Sequence, residues 1–388
     1  MYRLVLRFSR SATGFLDLGR EKSEILNVNP LLGVSLSWLG GLASASFYVP
    51  FRKVRGWSWE TYWLANCVVG WFVIPWLLAS LLTNHLPLVL HEAPGSTVLW
   101  TYLFGVLWGV GGLTFGLTMR YLGMSLGMAV AMGNCAVFGT LLPPIFHGQF
   151  SQLLATRSGI VTLIGVGVCA LGILLAGAAG VSKENETSSE QKTASINEFN
   201  LKLGLAVGTF AGVMSACFAF GLDAGNPIKT LTVAYGTNSV WQGLPALVVV
   251  LAGGITTNLV WCFVLNLRNR SYGEYLHVPA ASGSVGIADS ARKAPSLFAN
   301  YFFSGLAGTV WYLGFVLYTM GESLMGQYKF SGWTLLNASI IIFSTLWGIA
   351  LNEWRGVSLR TKALLLLSLL TLVGSTVIVG FGNFLVTR

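Results

Sequence analysis

Trp311-Tyr-Leu-Gly-Phe-Val-Leu-Tyr-Thr-Met-Gly-Glu322-Ser-Leu-Met-Gly-Gln-Tyr328 joins two apolar runs of membrane length, 297–319 and 330–351. About 20 apolar residues are enough to cross the hydrocarbon of a bilayer. A carboxylate at such a junction is costly in lipid, so Glu322 is expected to face a polar path or a partner. Reading outward, comparable runs occur at about 31–51, 61–82, 98–119, 121–142, 159–180, 201–221, 238–266 and 363–384. Ten spans make the chain an all-α integral membrane protein. A path through such a bundle is what a transport protein needs.

Composition agrees. Of 388 residues, 54% are hydrophobic and 10% charged, with mean hydropathy +0.68. Soluble domains carry roughly a quarter charged residues, so this chain cannot cover a water-facing surface and lipid is its solvent. The net charge of +9 is not a nucleic-acid signature, because the 23 Lys and Arg sit mostly in short loops between apolar runs. There they act as orientation signals. With ten spans, the odd-numbered loops carry 14 of them and the opposite side 9, five of those in the first 30 residues. The positive-inside rule then puts the odd-numbered loops in the cytoplasm and both termini outside an inner membrane crossed many times.

The organisation expected is a polar basic tail (1–30), a first five-helix half (31–180), a polar linker (181–200) and a second five-helix half (201–388). The tail has no apolar core of signal-peptide length and is given no function. Residues 181–200 and 267–296 read as flexible linkers, and Asn185-Glu-Thr187 matches a glycosylation sequon. Only Arg120 and its neighbours separate the third and fourth runs, which predicts a tight helical hairpin. Pro245 in the long seventh run predicts a kink or a tilt. Gly105/Gly109, Gly123/Gly127 and Gly208/Gly212 have the spacing that lets helix backbones approach closely.

The halves resemble each other. Gly41-Leu-Ala-Ser44-Ala45-Ser-Phe47 matches Gly212-Val-Met-Ser215-Ala216-Cys-Phe218 at four of seven positions. Gly105, Leu113, Phe115 and Leu117 align with Gly305, Leu313, Phe315 and Leu317. Because five is odd, the second half would enter the membrane from the opposite side. That predicts two inverted repeats with a site between them.

The chemistry-bearing residues are few. Glu322 is the first choice for proton coupling and Asp223, before Gly225-Asn226-Pro227, the second. Glu60 and Glu353 lie near loop cations and Trp, which suggests anchoring at the interface, as for Trp57 and Trp59. Candidates for holding a substrate are Arg120, Asn134, Asn258, Trp311, Tyr312, Gln327 and Tyr328. They are polar or aromatic groups at helix positions where lipid exposure is costly; hairpin topology for Arg120 and helix–helix bonding for the amides are the plainer readings. Cys67, Cys135, Cys169, Cys217 and Cys262 are small apolar packers. The four histidines fall in loops, with no metal-ligand or His-x-x-Glu-His spacing, and Gly165-Val-Gly167 lacks a third glycine. No metal, cofactor or membrane-enzyme site is expected, and neither repeated filters nor charged rings suggest a channel.

A family resemblance adds to this. Ala43-Ser-Ala-Ser-Phe-Tyr-Val-Pro50-Phe-Arg-Lys-Val-Arg-Gly-Trp57-Ser-Trp59-Glu60-Thr and Gly116-Leu-Thr-Met-Arg120-Tyr121-Leu-Gly123-Met-Ser125-Leu-Gly127 resemble signatures of the L-rhamnose–proton symporter family. So do Glu198-Phe-Asn-Leu-Lys202, Leu244-Pro245, Asn258-Leu-Val-Trp-Cys-Phe, Trp311-Tyr312-Leu and Gln327-Tyr328. The likeness runs from about residue 31 to the end. It implies a fold of the drug/metabolite transporter superfamily, with ten helices in inverted halves, and proton-driven uptake of a deoxyhexose. Glu322 and Lys329 depart from the family pattern, which implies a histidine and an acidic residue there; the proton carrier or the substrate then differs. A carrier of another small metabolite is the alternative. The partners expected are a sugar, protons and lipid; the oligomeric state is open.

Overall fold

A computed structural model describes residues 29–186, 201–277, 296–326 and 329–385. Most of the N-terminal tail, most of both long linkers, and Gln327 and Tyr328 lie outside the described residues. Nine helices among those described are long and apolar enough to cross a membrane. In chain order, with a shorter tenth apolar helix, they are α1 (Pro30–Phe51), α2 (Trp59–Leu82), α3 (Gly95–Thr118), α4 (Val130–Phe146), α5 (Arg157–Lys183), α6 (Lys202–Ala234), α7 (Ser239–Asn269), α8 (Leu297–Ser323), α9 (Ser331–Ala350) and α10 (Leu359–Phe384). α4 is the short one. α2 contains a π-helical turn at Val68–Val73. α6 breaks at Gly225, leaving a separate short helix, Asn226–Ala234. Helical backbone continues past α5 to Glu186, so the sequon's Asn185 lies on a helix.

α3 and α4 belong to one unbroken helical stretch, Gly95–Phe146. Its contacts nevertheless reverse. A Cβ added to Gly208 on α6 would lie 2.8 Å from Thr118 Cγ2 and 3.0 Å from Val130 Cγ1. Twelve residues of straight helix would separate those two by about 18 Å. The chain therefore folds back between them. α3 runs against α6, with Gly221 beside Phe104 and Gly204 beside Leu122; α4 runs along it, with Gly212 beside Asn134 and His147 reaching Asp223. The expected hairpin is present, with its bend between Leu122 and Val130, just past Arg120.

The expected kink at Pro245 is not. Pro245 occupies the first turn of the helix Leu244–Asn269. The missing N–H of proline costs nothing there, because that donor has no partner inside the helix in any case. Pro245 starts α7 rather than bending it.

Glycines set the closest approaches. Gly70 on α2 meets the backbone of Gly308 on α8, and Gly253 on α7 meets the backbone of Tyr102 and Val106 on α3. Gly314 on α8 meets Ser44 on α1, and Gly111 on α3 meets Ser215 on α6. Without a strong hydrophobic drive between helices in lipid, such contacts supply dispersion through shape. The outer faces are apolar and uncovered. Val260, Phe263, Val264 and Leu267 on α7 and Leu366, Leu370 and Val377 on α10 are all exposed. A soluble protein does not present such surfaces, whereas a lipid-embedded one must.

Candidate functional site

A cavity of about 190 Å³ opens at one end of the bundle, where α4 and α8 end, α6 breaks and α9 begins. Its polar wall is His147, Asp223, Asn226, Glu322 and Lys329; its aromatic wall is Tyr318, Phe330 and Trp333. The break at Gly225 creates much of this wall, because it lets Asn226–Ala234 restart as a short helix beside the mouth. From that helix Lys229 Nζ donates to Glu322 Oε2 at 3.0 Å and to Oε1 at 3.2 Å. The two side chains are only 8% and 13% exposed. Asp223 is more open. Its Oδ2 lies 2.7 Å from His147 Nε2, and its Oδ1 accepts from Asn226 Nδ2 at 2.9 Å. Lys329 Nζ donates to Asn226 Oδ1 at 3.4 Å. Among the described residues no group of three His, Cys, Asp or Glu is placed to hold a metal.

Behind the cavity an aromatic column fills the middle of the bundle. Trp333 stacks on Phe218 at 6.0 Å and meets Tyr318 edge-on at 5.8 Å. Phe218 touches Phe315 and Trp108; Trp108 stacks on Trp311 at 5.6 Å and meets Trp71 at 4.7 Å. Two buried donors in this region, Trp71 Nε1 and the Tyr312 hydroxyl, have no hydrogen-bond partner among the described residues.

At the opposite face a polar plug joins α2, α7 and the turn after α7. Glu60 Oε1 on α2 accepts from Asn269 Nδ2 at 2.9 Å and from Ser271 Oγ at 2.7 Å. Glu274 Oε2 accepts from the Ser58 backbone N–H at 2.7 Å, from Ser58 Oγ at 2.8 Å and from Thr61 Oγ1 at 2.7 Å. Asn300, at the start of α8, exchanges two hydrogen bonds with the Arg55 backbone. From Asn300 to Glu322 α8 rises about 33 Å, the thickness of the hydrocarbon layer. Cavity and plug therefore lie at the two membrane surfaces.

The sequence-predicted residues divide accordingly. Glu322 and Asp223 line one cavity. Trp311 and Tyr312 lie deeper, in or beside the column. Asn258 accepts from Trp63 Nε1 at 3.0 Å and donates to Gly254 O, while Asn134 donates to Val130 O at 2.7 Å beside Gly212. Asn258 thus joins α7 to α2, Asn134 bonds within its own helix, and neither lines the cavity. Arg120 lies at the far end of α4 from it. Glu60 lies toward the membrane surface as expected, but it is buried, 4% exposed, and its partners come from the end of α7 and the turn that follows. Trp57 is likewise buried, edge-on to Tyr301 at 4.8 Å. His91 lies in a short helix, Leu86–Glu92, rather than in a loop. Sequence reasoning missed Lys229, His147, Tyr318 and Trp333. Lys229 left a signal, as the one cation in the run Asn226–Ala234.

A bundle of lipid-facing helices around a one-sided polar cavity, with a shielded ion pair inside and a plug across from it, is the build of a membrane carrier. Residues 26–384 match the family model described as L-rhamnose-proton symport protein. An L-rhamnose-proton symporter of Yersinia pestis (strain Pestoides F) is 35% identical over 355 residues, covering 91% of this chain and 98% of the relative. One from Cronobacter sakazakii is 34% identical over 354 residues, covering 90% and 97%. The chain belongs to the L-rhamnose–proton symport protein family, whose members are transporters and not enzymes.

Proposed function

We propose that the protein takes up L-rhamnose or a related deoxyhexose together with protons across the inner membrane, by alternating access between two inverted five-helix halves. The carrying observation is the asymmetry of the bundle. Ionisable and aromatic groups line a cavity open to one surface, and at the other surface carboxylates tie α2 to the end of α7. The cavity lies on the side of the termini and the even-numbered loops, which the distribution of Lys and Arg assigns to the outside. On that reading this is the outward-facing state.

The inverted repeat is supported by paired contacts: Gly70 with Gly308 mirrors Gly253 with the backbone around Gly105, and Gly314 with Ser44 mirrors Gly111 with Ser215. This packing equates Gly105 with Gly308, one helical turn beyond the Gly305 that sequence alignment selects. The two central tryptophans, Trp108 and Trp311, obey the same register.

Chemically, Trp333 and Tyr318 offer flat apolar faces for the C–H patches of a sugar, and the Asn226 amide offers hydrogen-bonding atoms for its hydroxyls. Glu322 carries the coupling. Its two oxygens accept from Lys229, and breaking a shielded pair on one side leaves a costly bare charge. A proton on Glu322 removes its charge and frees α8 from the short helix Asn226–Ala234. Closing the cavity over a neutral Glu322 is less costly than closing it over a carboxylate. The unpaired Trp71 Nε1 and Tyr312 hydroxyl are donors that a sugar passing the column would satisfy.

The test is uptake of labelled L-rhamnose by proteoliposomes with an acidic exterior. Accumulation above the bath that collapses with a protonophore is expected, as is competition by other deoxyhexoses. Mere equilibration, or no uptake, would overturn the proposal.

A further inference from the structure

We propose that His147 and Asp223 act as one proton-accepting pair at the cavity mouth, receiving from water the proton that Glu322 then uses. This rests on the reading of Glu322 as the coupling group. The motivation is access. Glu322 is shielded and locked to Lys229, whereas the His147 side chain is half exposed and its ring touches Asp223 at 2.7 Å. Imidazole is the side chain suited to exchanging protons between pH about 5 and 8.

The local fold points the ring inward. Helix α4 stops at Phe146, and Gly148 follows with φ +66°, a left-handed turn open to glycine. That turn leaves His147 capping the cavity instead of extending α4. Asp223 has both oxygens engaged, Oδ2 by His147 and Oδ1 by Asn226, so the carboxylate is fixed as the counter-ion of the ring. The other charged or titratable groups facing the cavity are Glu322 with Lys229, Lys329 beside Asn226, and Tyr318.

The step balances without a further reactant. A proton from the outer water adds to the free ring-nitrogen lone pair and makes an imidazolium opposite the Asp223 carboxylate. It leaves for a Glu322 oxygen, restoring neutral imidazole; Lys229 stays an ammonium and loses its partner. His147 is thus a relay group, and Glu322 remains the coupling group.

The experiment compares wild type, His147→Gln, Asp223→Asn and the double variant in proteoliposomes, with exterior pH varied from about 5.5 to 8. Initial uptake by His147→Gln is expected to fall at least about fivefold at the alkaline end, where protons are scarce, and to stay within about twofold of wild type at the acid end. Sugar counterflow at equal pH should be unchanged. Asp223→Asn should give the same pH curve, and the double variant no further loss. A His147→Gln curve superimposed on wild type would overturn the pair. An equal loss at every pH and in counterflow, the mark of a brace between α4 and α6, would overturn it as well, as would additive losses in the double variant. If wild type shows no gradient-driven uptake, the reading of Glu322 fails first and the relay falls with it.

Discussion

Lys229 Nζ lies 3.0 and 3.2 Å from the two carboxylate oxygens of Glu322, and the pair bridges two helices that border one cavity. Removing one partner leaves the other charge bare in a shielded site, a loss of about 3–5 kcal/mol where such pairs are dry. Lys229→Met is therefore expected to lower the melting temperature in detergent, and Lys229→Met with Glu322→Gln to recover most of it. Glu322→Gln alone keeps a hydrogen-bonding partner for Lys229 and should remain folded. It should lose proton-driven accumulation while retaining sugar exchange. Undiminished uphill uptake by Glu322→Gln would remove Glu322 from the mechanism, and a double variant no more stable than Lys229→Met would deny the pair its structural cost.

Tyr312 provides a separation of folding from transport. Its side chain is fully buried and its hydroxyl is unpaired among the described residues. A buried donor without a partner costs about 1–3 kcal/mol, so Tyr312→Phe should leave thermal stability unchanged or raised. If the hydroxyl serves the passing sugar, KM for L-rhamnose should rise. A stable variant with wild-type KM would assign the hydroxyl no part in transport.

The plug predicts a population shift. Glu274 collects three hydrogen bonds from Ser58 and Thr61, and under the proposed alternating access those bonds would break when this face opens. Glu274→Ala is expected to favour opening on that side. A native reporter is in place, since Cys262 is fully buried one turn inside Asn266. Its labelling by a water-soluble maleimide should accelerate in Glu274→Ala, with Cys135, Cys169 and Cys217 as buried controls near or beyond the column. Unchanged labelling of Cys262 would mean that these bonds do not hold the face shut.

Much of this architecture was legible because lipid imposes a simple rule: spans are apolar, long and bounded by charge. The hairpin at Arg120 followed from two apolar runs with almost nothing between them. Glu322 and Asp223 stood out because a carboxylate near a span is expensive wherever it goes. Their partners were not legible. Lys229 and Glu322 are 93 residues apart and His147 and Asp223 are 76 apart, so only the packing of α4, α6 and α8 brings them together. The partners of Glu60 were hidden for a related reason. Its neighbours in sequence suggest an interface, but its hydrogen-bond donors come from Asn269 and Ser271. Pro245 was misread because a proline inside an apolar run looks the same in sequence whether it bends a helix or begins one.

Glu186 carries a pH dependence outside the spans. Beyond the end of α5, its Oε2 accepts from the Ser358 backbone N–H at 2.6 Å, and its Oε1 from Ser358 Oγ and Thr361 Oγ1, each at 2.5 Å. Those hydrogen bonds, led by the Ser358 hydroxyl, favour the charged form and hold the carboxyl down at about 2 from its ordinary 4.5. The sign follows from the depression: the contribution to stability is fully present above pH 4.5 and is lost as the pH falls through about 2. It ties the end of α5 to the start of α10, whose first-turn N–H groups have no partners within the helix. In detergent, Glu186→Gln should melt below wild type near neutral pH, and the gap should narrow steadily as the pH drops through that window. A gap that stays constant with pH would show that the neutral amide replaces the carboxylate without loss of the charge-assisted bonds, and that the junction does not depend on ionised Glu186.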